Sequence, residues 1–260
     1  MANRFITGVG RQEERRLQQR LLQRMEGALE KPMREEIRNS MARIGRSYGG
    51  SQAITREINA HAKRVRGELE SAYRRAFTVF GDRIIEAAGK SWAQLERKDE
   101  DYASAMRRWI EQNVGAKVTE IAGTTRDQSQ RVIRDAIAEA TEQGLGQDGI
   151  GDLVQDRMRE RGSILSRHRA RVIARTETHT ASQAANSEAA AATGLQLRKE
   201  WIAAGGGDTR DDHSSADGQT VAMNDPFDVG GERLMYPGDP SGSAENVINC
   251  RCAVGYIPVE

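Results

Sequence analysis

Cys250 and Cys252 are the only thiols in the chain, and in NVINCRCAVGY they flank a single arginine. Thiolates suit zinc, which takes four ligands in a tetrahedron. His213, in TRDDHSS, is the candidate third ligand, and His179 or an aspartate such as Asp211 is the candidate fourth. In a strand, side chains two apart share a face, so both sulfurs would point together and Arg251 away. Their Cα atoms would lie about 6.6 Å apart at roughly 3.3 Å per residue, the outer limit of disulfide geometry. A reducing cytoplasm also acts against a bridge. The competing reading is plain packing, because free cysteine often behaves as a small buried apolar residue. Plain packing is the favoured reading of the pair, and a structural zinc, the one cofactor this pattern suggests, is its alternative.

Catalytic readings of the same residues fare worse. A zinc deaminase needs H-x-E followed by P-C-x-x-C, and the chain has DHSS and C-x-C. A zincin needs H-E-x-x-H, which is absent. A Cys–His nucleophile pair is compatible with the composition, but a second thiol two residues away and the lack of an evident oxyanion loop weaken it. A histidine pair, His179 with His213, is open as a nuclease reading. The expectation is no enzymatic activity and no catalytic residues.

Helices must position these groups. From Gln12 to about Ile44 the apolar residues Leu17, Leu21, Met25, Leu29, Met33, Ile37 and Met41 recur every four positions, a slowly drifting helical stripe. Pro32 is expected to kink or break it. GRSYGGS (45–51) reads as a loop. A second helix carries Ile54, Ile58, Val65, Leu69, Ala72 and Ala76, and further helices are expected over 83–98 and 101–114. Trp92 and Trp109 are expected to pack rather than bind. Stripes this thin must bury against one another or against a partner. Residues 123–162 read as two amphipathic helices around GLGQDGIGD, whose glycines follow no strand and form no nucleotide fingerprint. Residues 167–192 read as one more helix. On its wheel Arg171, Arg175, Thr178, His179, Ser182 and Asn186 fall within about 100°, opposite Ile173, Ala174, Ala181 and Ala184. Glu177 lies on that small-residue side, either as an ion pair at its edge or as a buried structural or catalytic carboxylate.

After Gly194 the texture changes to glycine, aspartate and proline with short β-prone runs. LQLRKEWIAA and NVINCRCAVGYIPV read as strands, ADGQTVA as a turn into a strand, and NDPFDVGG and YPGDPSGS as ordered turns. The fold class is therefore α+β: a long helical N-terminal arm or hairpin (1–112), then a mixed domain (113–260) with helices and a small C-terminal β-sheet. Charge follows the same division. Residues 1–75 hold 17 Lys/Arg against 9 Asp/Glu, and residues 176–260 hold 5 against 13. The basic end suggests contact with DNA, although its arginines are interleaved with glutamates and lack aromatic stacking partners. No apolar run approaches the roughly 20 residues that span a bilayer, and MANRFITGVGRQEERR has no signal-peptide core. A soluble protein made in the cytoplasm, without a membrane partner, is expected.

Taken together, ARVIARTETHTASQAAN, KEWIAAGGGDTRDDHSSADGQTVAMNDPFDVGGERLMYPGDP and ENVINCRCAV resemble the Mu F-like phage head morphogenesis family, the minor head proteins. Arg175-Thr176-Glu177, Trp201, Thr209-Arg210, His213, Asp217-Gly218, Phe227, Tyr236-Pro237-Gly238-Asp239 and Asn249-Cys250-Arg251-Cys252 carry the resemblance, which covers roughly residues 115–255. The glycine-rich AAGGGDTRDDH departs from the pattern and leaves that loop's conformation open. The resemblance implies structural roles for Arg175, Glu177, Trp201, Arg210, Asp217, Tyr236 and Asp239. It also implies a tailed-phage or prophage virion protein near the portal, with the portal protein as partner and capsid or scaffold proteins and packaged DNA as further contacts. Its work would be head assembly and DNA packaging or ejection. The alternative is a zinc- or histidine-dependent enzyme, such as a nuclease or toxin, carried in the phage head.

Overall fold

The computed structural model describes residues 5–90 and 102–259. Four long helices come first: α1 (Arg11–Arg46), α2 (Ser51–Ala87), α3 (Tyr102–Glu142) and α4 (Gln147–Ala192). A small β region follows, with β1 (Leu197–Ile202), α5 (Asp211–Ser215), β2 (Thr220–Ala222), β3 (Phe227–Val229), β4 (Glu232–Leu234), α6 (Ala244–Val247) and β5 (Ala253–Pro258). This is the α+β order that the sequence suggests. Trp92 and the end of the helix expected over 83–98 lie outside the described residues. No described helix is long and apolar enough to cross a membrane.

Two local expectations need correction. Helix α1 is not broken at Pro32. An interior proline forfeits one backbone hydrogen bond and costs about 3 kcal/mol, and the buried stripe on either side carries the helix through. Of the two ways expected to cover that stripe, the chain uses its own residues. Met25, Leu29, Met33, Ile37 and Met41 are buried within the chain, with Leu17 and Leu21 half-buried. The second correction concerns the last strand. It begins at Ala253, after both cysteines, because Asn249 takes a left-handed conformation (φ 59°) that turns the chain just before Cys250. Helix α3 runs unbroken through residues 113–123, and α4 joins the segments 147–161 and 167–192 into one helix.

The chain divides into two compact units, each assembled from separated segments. One holds residues 28–70 and 113–174. Its core is Met41, Ile44, Ile58, Ala122, Ile133, Ala136, Val154 and Met158. Beside that core, Glu36 collects Arg43 (3.0 Å), Arg64 (2.9 Å) and His61 (2.9 Å), and the other His61 nitrogen reaches Thr125 at 3.1 Å.

The second unit holds residues 1–27, 71–112 and 175–260. Its sheet is antiparallel in the order β2-β1-β5, with Trp201 opposite Val254, and β3 and β4 form a separate hairpin. Through its middle runs the C-terminal part of α4, buried on every side from Thr176 to Asn186. A helix can be surrounded so closely only if it is narrow, and Ala181, Ala184 and Ala185 supply that. Its polar side chains do not form a solvated stripe. Thr180 donates to the Gly238 carbonyl (2.9 Å), Gln183 and Asn186 donate to Gln18 of α1 (2.9 and 3.3 Å), and Glu177 accepts from Tyr73 at 2.5 Å. Glu177 is therefore a buried carboxylate. Trp109 packs edge-on against Tyr73 and donates to the Tyr236 hydroxyl at 3.1 Å, a packing role.

Candidate metal centre

The short helix α5 presents His213 inward. The guanidinium of Arg210, just before it, donates to the Ile248 carbonyl at 2.5 Å and ties the helix to the cysteine turn. His213 is 2% exposed, with the edge of Trp201 against its ring at a centroid distance of 5.5 Å. Its Nε2 lies 3.1 Å from Asn246 Oδ1 on α6. Asn246 is oriented in turn, since its Nδ2 donates to the Val229 carbonyl (3.5 Å) and its backbone N–H is capped by Ser243 Oγ (3.3 Å). An amide oxygen only accepts, so His213 Nε2 carries a proton, and in the neutral ring the lone pair is then on Nδ1.

That lone pair faces the cysteines, with Nδ1 3.4 Å from Cys252 Sγ and 3.6 Å from Cys250 Sγ. The two sulfurs converge without being in a strand. The left-handed Asn249, its N–H donated to Thr176 Oγ1 of α4 at 3.1 Å, sets the turn that brings them together. Burial alone would raise the Cys250 thiol, but hydrogen bonds from Cys252 and the nearby Arg210 charge hold it below its ordinary value. The hydrogen bond to Cys250, with burial behind it, pushes Cys252 far up. The two shifts run in opposite directions, so Cys250 gives up its proton more readily than Cys252.

His179 sits beside the cluster in a different role. Its Nε2 donates to the backbone carbonyl of Cys252 at 2.7 Å, and burial pulls its pKa to about 4, so the ring is neutral. It grips Cys252 by the backbone and not through sulfur. Asp211 is exposed and stands outside the cluster. Thr209, Arg210, Asn249, His213 and Cys252 line a polar cleft of about 600 Å³, which Arg175 also enters.

The remaining motif residues are turn and packing devices. Asp217 Oδ1 accepts from the Ala203 N–H at 2.7 Å and pairs with Arg11. Asp239 accepts from the backbone N–H groups of Met235 (2.8 Å) and Ser241 (2.9 Å), which locks YPGDPS. Trp201 is fully buried between His213 and Phe227. Sequence reasoning missed Asn246 and Gln18, and singled out Thr176 only as part of a motif, without a role. Asn246 stands three residues after its Ser243 cap, a spacing that marks a helix start but not a histidine partner.

Residues 131–255 match the family described as Phage Mu protein F like protein. Among curated proteins, the chain is similar to Minor head protein GP7 of Bacillus phage SPP1, 34% identical over 125 residues, 47% of this chain and 39% of the relative. It is also similar to Uncharacterized protein YqbB of Bacillus subtilis (strain 168), 29% identical over 133 residues, 50% of this chain and 42% of the relative. The chain thus spans about two fifths of the length of these relatives. No solved structure matches it.

Proposed function

We propose that this chain is a minor head protein of a tailed bacteriophage or prophage, bound at the portal and acting in head assembly and in DNA packaging or ejection. The observation that carries the reading is the Mu F-like match over residues 131–255, supported by the similarity to a phage minor head protein. The structure supports a scaffold role over an enzymatic one. Arg210, Trp201, Asp217, Tyr236 and Asp239 spend their polar or aromatic groups on internal contacts, and His179 spends its N–H on a backbone carbonyl. Capsid or scaffold proteins and packaged DNA are the further partners. The basic residues of 1–75 are the segment for DNA contact, and binding through them must weaken steeply with salt as counterions return to the phosphates. Co-expression with the portal protein of the encoding phage tests the reading. The two should co-purify through size exclusion, and separate elution at every salt concentration would overturn it.

A further inference from the structure

We propose that His213 Nδ1, Cys250 Sγ and Cys252 Sγ bind one zinc ion whose fourth position opens on the polar cleft. This does not depend on the head-protein reading. The three donor atoms lie within 4.8 Å of one another. Zinc bonds of about 2.3 Å to sulfur and about 2.0–2.1 Å to imidazole, opened to the tetrahedral angle, set nitrogen and sulfur roughly 3.6 Å apart. The observed separations are 3.4 and 3.6 Å. The cluster therefore already holds two of the edges that a tetrahedral ion requires.

The surrounding shell fits as well. A ligating imidazole almost always donates its other N–H to a fixed acceptor, and Asn246 Oδ1, itself oriented from Val229, is that acceptor. Two thiolates with one imidazole form a soft donor set that selects zinc over magnesium or calcium. Cysteine ligates as the thiolate, so binding releases thiol protons to solvent. A thiol–imidazole nucleophile pair would use the same Nδ1, but it needs one sulfur. Two sulfurs converging on one lone pair are redundant for a nucleophile and necessary for a metal. Each cysteine is also only 1% exposed.

Among the described residues, no fourth histidine, cysteine or carboxylate joins the three. His213 and Cys252 both line the cleft, so the ion is reached from there, and water or an incoming donor completes its shell.

The full-length chain, untagged and purified with a reductant, provides the test. It should carry about one zinc per chain. Exchange with cobalt(II) should give a thiolate-to-cobalt charge-transfer band and intense tetrahedral d–d absorption. Both should vanish in Cys250→Ser and Cys252→Ser. Asn246→Leu keeps all three ligands and should weaken zinc affinity about 10- to 100-fold. If the serine variants do not fold, the wild-type cobalt spectrum and the Asn246→Leu affinity decide. A wild-type chain that takes up neither zinc nor cobalt overturns the proposal. So does fast alkylation of one cysteine in a metal-free chain, which would mark a nucleophile pair instead.

Discussion

Gln18 is the sharpest place to perturb the joint between the first helix and the Mu F-like segment. It is fully buried and uses its whole amide. Nε2 donates to Glu14 Oε1 (2.6 Å) and to the Val254 carbonyl of β5 (2.9 Å), while Oε1 accepts from Gln183 (2.9 Å) and Asn186 (3.3 Å) of α4. Gln18→Ala removes one partner from each of four buried polar atoms. At about 1 kcal/mol net per bond, partly offset by relaxation, the loss is about 3 kcal/mol. That corresponds to about 6–12 °C in Tm at roughly 2–4 °C per kcal/mol for a chain of this size. Gln18→Glu should be worse than alanine at neutral pH, because it sets a carboxylate against Glu14 and against a carbonyl, where burial magnifies repulsion. Lowering the pH protonates the new group and should narrow the gap between the two variants. Urea titrations followed by far-UV circular dichroism measure all three proteins. The reasoning fails if alanine costs less than about 0.5 kcal/mol or if glutamate is the milder change.

Other perturbations have equally definite signs. Burial pulls the Lys199 amine to about 8 from its ordinary 10.5. The unfolded chain thus binds more protons between those values, and urea stability should rise with pH across that window, a rise that Lys199→Met should abolish. Glu36 is held below its ordinary 4.5 although burial opposes this, because His61, Arg64 and Arg43 favour the carboxylate. Its contribution is present above that value and is lost as pH falls, so wild type and Glu36→Gln should converge in urea midpoint under acid conditions. Gly238 has φ +77°, and a Cβ there would lie 2.7 Å from His179 Nδ1. Gly238→Ala should therefore cost at least about 1–2 kcal/mol in a melting experiment.

The sequence shows which residues share a face more readily than it shows what covers that face. The period of four in Leu17–Met41 marks a helix correctly, yet its covering residues lie far along the chain, so nothing local distinguishes a partner's surface from the protein's own. The polar stripe of α4 poses the same problem. Asn186 of that stripe, and Thr180 and Gln183 beside it, are polar by type, and only the fold supplies the Gly238 carbonyl and Gln18 that bury them. Motifs fixed by short turns fare better. The YPGD turn follows from its residue types, and the convergence of Cys250 and Cys252 from their spacing, while His213 joined them as a candidate only through the family resemblance. The mechanism of that convergence does not. Alternation in a strand would aim both sulfurs one way, but the structure achieves it with a left-handed asparagine held by Thr176. Asn249 can take that conformation at low cost, and its tolerance was the available signal. Asn246, which fixes the His213 tautomer, had none.

We propose that the chain is a working part of the phage head. Quantitative mass spectrometry of heads purified from the encoding phage or induced prophage, against portal-less shells from the same lysate, tests it most directly. The account predicts a few copies per portal-bearing head and none in portal-less shells. A chain recovered only in the free fraction, with heads filling normally after its deletion, would contradict it.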